Sequence, residues 1–124
     1  MMIDPEFLRR IEPAVERDPR FAPAAYAFVS EALAKTAKRL GRAGKKRSAA
    51  RNVSGSELSK GAADFAREEF GPLAYDVLCE WGVKTTSDIG SVVFNLIDVG
   101  LLSKTDDDRR EDFDNVFDLR ERLS

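Results

Sequence analysis

No histidine occurs anywhere in the 124 residues. That absence removes imidazole acid–base work, histidine metal ligation, and both the Ser-His-Asp and Cys-His routes to an activated nucleophile. The single cysteine, Cys79, excludes an intramolecular disulfide and any zinc site assembled from several cysteines. Carboxylate or lysine chemistry is left, without the usual catalytic tools. The expectation is a protein that is not an enzyme and carries no cofactor. Also missing is any apolar run approaching the ~18 residues that would span a bilayer. The opening stretch, MMIDPEFLRRIEP, has acids where a signal peptide has a basic and then an apolar region. A cytoplasmic protein with no membrane partner is expected.

What is present is globular in character. A 43% hydrophobic and 34% charged composition is too apolar for a disordered chain, and the length suits a single domain with its own core. The net charge of −2 hides an asymmetry. Eight basic residues and no acid fall between positions 35 and 51: Lys35, Lys38, Arg39, Arg42, Lys45, Lys46, Arg47 and Arg51. The rest of the chain holds twelve basic against twenty-two acidic residues. Such a molecule can attract a polyanion at one place and repel it elsewhere.

Helix signals recur along the chain. Asp4-Pro5 suits an N-cap followed by proline at the first helical position, with Pro13 as a break or kink in that first helix. Arg17-Asp18-Pro19-Arg20 reads as a turn. From Pro23, Tyr26, Val29, Leu33, Thr36 and Leu40 form one stripe at helical spacing, extended by Ala32 and Ala37. Gly41 and Gly44 close that helix. Residues 1–44 are thus N-terminal helices and 45–54 a basic loop. Ser54-x-x-Glu57 matches a capping box ahead of Leu58, Ala62, Phe65 and Ala66.

Residues 55–124 carry the most distinctive order: helix, Gly71-Pro72, a helix ending at Trp81-Gly82, a Thr85/Thr86 cap, a longer helix, then Gly100. Ile89, Val92, Val93, Leu96 and Ile97 form the inner face of that longer helix. This is the grammar of a helix-turn-helix or winged-helix domain. A strand over Leu101–Thr105 is expected to pair with a second over 113–119, where Phe113, Phe117 and Leu119 share one parity, although Phe113, Val116 and Phe117 also fit a helix. The predicted fold is mainly α: four to five helices with a small C-terminal β-hairpin, one domain over 1–124.

The functional signals are less specific. Between Lys84 and Lys104 there is no Arg or Lys, and Asp88, Asn95 and Asp98 are expected to supply the exposed chemistry of the second helix, a poor match for a groove-reading helix among phosphates. A protein-binding module is the leading expectation. The alternative is sequence-tolerant nucleic-acid binding through residues 35–51, which lack interleaved aromatics for stacking on bases. Asp106-Asp107-Asp108 lacks the EF-hand's central glycine and its terminal glutamate, so no metal is expected there. Cys79 and Trp81 read as core residues.

The block RNVSGSEL at 51–58 and FGPLAYDVLCEWGVKTTSDIGSVVFNLIDVGLLSKTDDDRREDF at 70–113, together with AYAFVSEAL at 25–33, resembles a family of short planctomycete and verrucomicrobial proteins of unknown function. The resemblance implies one small domain and supplies no catalytic residues. Members carry a histidine where this chain has Asn52, so a histidine-dependent role would not transfer.

Overall fold

The computed structural model describes residues 3–41, 53–102 and 109–124. Its helices are α1 (Pro5–Arg17), α2 (Pro23–Arg39), α3 (Gly55–Phe70), α4 (Ala74–Glu80), α5 (Thr86–Asp98) and α6 (Leu119–Leu123), with 3-10 turns at Gly71–Leu73 and Arg110–Phe113. Local chemistry sets most of these limits. The Asp4 carboxylate accepts the Glu6 amide at the start of α1. At α3 the Ser54 hydroxyl accepts the Glu57 amide while the Glu57 carboxylate accepts the Ser54 amide, so two orphan donors are satisfied reciprocally. Thr85 and Asp88 repeat the device at α5. Gly82, at φ 94°, turns the chain after α4 in a conformation that side chains avoid. Pro13 does not end α1, which runs on to Arg17 with Ile11 and Ala14 buried on either side of the proline.

The core is one cluster. Phe21, Tyr26, Phe28 and Val29 from the α2 region meet Leu58 and Phe65 of α3, Leu78 of α4, and Ile89, Val92 and Leu96 of α5. Phe28 stacks on Phe65 at 5.2 Å between ring centres. Trp81 stands half-buried at the cluster's edge, against Phe28 and across the edge of Phe70. Cys79 is also only half-buried.

The predicted β-hairpin is overturned, and with it the winged helix. Among the described residues there is no strand. Leu101 and Leu102 form a bend, and Ser103–Thr105 lie outside the described residues. In place of a second strand, Phe113 ends a 3-10 turn, Asn115 takes the left-handed conformation at φ 51°, and α6 begins after an Asp118 cap. The period-two reading fails because the buried set is Phe113, Leu119 and Leu123, the last two a helical turn apart. This segment needs no partner strand. The Thr86 hydroxyl donates to the Phe113 carbonyl at 2.6 Å and accepts the Val116 amide at 3.2 Å, satisfying backbone groups that a ladder would otherwise serve.

α5 does not present the exposed face that a groove-reading helix needs. Along its length only Asp98 is exposed. Asn95, expected on the outside, is buried and donates to Asp18 and Tyr26. α5 is a central packing helix, contacting α1, α2, α3 and the Arg110–Phe113 turn.

Candidate functional site

Helix periodicity puts Lys35, Lys38 and Arg39 on the exposed side of the last turns of α2, while Thr36 and Ala37 face inward. α3 lies alongside, and the two helices approach closely because Gly61 has no side chain. A Cβ built there would meet the Thr36 hydroxyl at 1.9 Å. The hydroxyl itself donates to the Ala32 carbonyl at 2.7 Å, so its polar atom is satisfied inside α2.

Above this seam runs a groove of about 450 Å³, with Lys35, Lys38 and Arg39 on one rim and Asp64 and Glu68 on the other. Phe65 contributes its floor, and the Lys35 ammonium lies 5.3 Å from the centre of that ring. Arg39 bonds Asp64 at 3.3 Å. Lys35 and Lys38 have no ion-pair partner among the described residues. The sequence-predicted basic stretch is therefore met in part. Three of its cations share one groove rim, and Arg42, Lys45, Lys46, Arg47 and Arg51 lie outside the described residues. The two carboxylates opposite were not legible in the sequence, because the pairing of the α2 end with α3 joins residues twenty-five positions apart.

A second polar cluster ties the α1–α2 turn to α5. Asp18 accepts two hydrogen bonds from the Arg20 guanidinium, at 2.8 and 2.9 Å, and one from the Asn95 amide at 2.9 Å. These bonds, Arg20's first, hold the Asp18 carboxyl well below the usual carboxylate range against the opposing effect of burial. The same Asn95 amide reaches the Tyr26 hydroxyl at 3.1 Å, and burial pushes that phenol up. Both Asp18 oxygens, the Asn95 amide nitrogen and the Tyr26 hydroxyl are bonded within the α1–α2 turn, α2 and α5. Its geometry is that of a structural tie.

Elsewhere, no group of three or more Asp, Glu or Cys residues that could hold a metal ion occurs among the described residues. The Asp106–Asp108 run lies outside them. No described helix is long and apolar enough to cross a membrane. Comparison with protein-family models, with curated proteins and with solved structures gives no match.

Proposed function

We propose that this chain is a small helical binding module without catalytic chemistry, and that the α2–α3 groove receives a protein partner. The observation that carries this reading is the mixed charge of the groove. Asp64 and Glu68 face the three cations of α2 across a half-apolar floor. A phosphate backbone entering such a groove meets two carboxylates and finds Arg39 already engaged. A peptide or helix can offer an acid to Lys35 and Lys38, a base to Glu68 and an apolar side chain to Phe65 at once. That is the helix-in-groove mode, in which anchors on one face of the ligand set affinity and rim charges set register.

Capture from the native host with and without nuclease tests the proposal, using the natural chain and a Lys35→Glu/Lys38→Glu variant. A protein retained after nuclease and lost with the variant is the expected result. Capture that disappears with nuclease would favour the alternative, binding of nucleic acid through residues 35–51, for which the exposure of Lys35, Lys38 and Arg39 on one rim is the supporting observation.

A further inference from the structure

A separate cleft of about 520 Å³ opens where α4 and the start of α5 meet the segment 115–120. Its volume falls within the ~300–1,000 Å³ typical of small-molecule sites. Lys84 and Arg120 supply positive charge against the single carboxylate of Asp118, and Tyr75 and Phe117 supply aromatic surface. Ser87 and Asn115 add groups able to hydrogen-bond.

The balance of commitments among these charges points outward. Three acids at the cleft each accept a hydrogen bond within the fold. Asp88 accepts the amides of Lys84 and Thr85, Asp114 accepts the Ser87 hydroxyl, and Asp118 accepts the Glu121 amide. The cations are not engaged: neither Lys84 nor Arg120 has a salt-bridge partner among the described residues, and both side chains are exposed. The start of α5 is already closed by its own capping box, so any anion here would be held by side chains rather than by free helix amides. Asn115 presents its amide from the left-handed conformation, a backbone state that asparagine tolerates better than most residues. Phe117 is steadied by the Arg122 guanidinium, 4.6 Å from its ring centre.

We propose that this cleft binds a small organic phosphate bearing a flat ring, of the nucleoside-monophosphate class. Lys84 and Arg120 hold the phosphate, with the arginine suited to a two-pronged grip on its oxygens. Tyr75 and Phe117 receive the ring. A free phosphate would use only the first pair and an uncharged nucleoside only the second, so each is the weaker ligand. The site is distinct from the α2–α3 groove and does not depend on the reading given to that groove.

Calorimetric titration with adenosine 5′-monophosphate, adenosine and inorganic phosphate as probes tests the assignment. Saturable binding of the monophosphate at or below about 1 mM, with adenosine and phosphate each weaker by roughly tenfold or more, is the expected result. Lys84→Ala and Arg120→Ala should each weaken the monophosphate by roughly tenfold with little change in melting temperature, because both side chains are exposed. Lys35→Ala/Lys38→Ala should leave it unchanged. No saturable binding to the natural chain, or equal affinity in the Lys84→Ala/Arg120→Ala double variant, would overturn the proposal.

Discussion

Gly61 and Gly90 both sit on helices where a methyl group has no room, yet the partners that crowd them are of opposite kinds. At Gly61 the neighbour is Thr36 on another long helix. At Gly90 it is Phe113, on an irregular segment, whose side-chain atoms lie 2.7–2.8 Å from where a Cβ would stand. The helix seam brings its own backbone satisfaction, so Gly61 has only to allow close approach. The segment brings unsatisfied backbone groups with its phenyl ring, and Thr86, one turn before Gly90, answers them with a hydroxyl that donates to one and accepts from another. Close packing of an irregular chain therefore needs a polar clip beside the apolar contact, whereas helix on helix does not.

The largest expected effect is on the apolar half of the second seam. Phe113→Ala should cost about 3–5 kcal/mol in chemical denaturation, as truncation of a buried aromatic does. A cost below ~1 kcal/mol would show that the segment rests loosely on α5.

Next comes the helix seam. Gly61→Ala should destabilise by about 1–3 kcal/mol through overpacking. Adding Thr36→Ala should return part of that loss, because the atoms met by the new methyl group are removed. Strict additivity of the two changes would break the picture of direct contact.

Thr86→Val keeps the shape of the clip and removes its hydrogen bonds. It should cost about 1–3 kcal/mol, since the Phe113 carbonyl and the Val116 amide are left unpaired. Hydrogen exchange should then quicken first at the amides of 113–124, while α2 and α3 keep their protection. Uniform quickening throughout would mean that the two seams fail together and are not separable.

The smallest effect is expected at Ser59, whose buried hydroxyl has no hydrogen-bond partner among the described residues. Ser59→Ala should be neutral or stabilising by up to ~1 kcal/mol, as it removes a desolvated polar atom. A loss of stability would reveal a partner for that hydroxyl and make α3 a second place where a polar clip operates.

Much of the helical order was legible because its signals are local. Ser54 with Glu57, Thr85 near Asp88, and Gly82 after Trp81 lie within one turn of the residues they serve. What misled lay in contacts across the chain. The spacing of Phe113, Phe117 and Leu119 suits a strand, and only the presence of Thr86 twenty-seven residues earlier makes an irregular segment stable there. Asn95 looked like an outward residue because a polar group on a helix usually is one; its partners, Asp18 and Tyr26, come from the other end of the sequence. The candidate groove was half legible for the same reason. Its basic rim is a run along α2, and its acidic rim belongs to α3.

The crowded glycines also differ in how freely they can drift among homologous chains. At 61 the worst obstruction is the Thr36 hydroxyl, so a larger residue can enter if position 36 loses it, and those two positions should change together. At 90 the Phe113 Cβ itself stands 2.7 Å away, so trimming the ring is not enough and the segment would have to shift. At Gly82 the obstruction is the Arg20 carbonyl, 2.0 Å from where a Cβ would stand, in a backbone turn already at positive φ. No exchange of side chains can move a carbonyl. Position 82 should therefore stay glycine across any set of relatives that keeps this fold, and its partner position 20 should vary without regard to it.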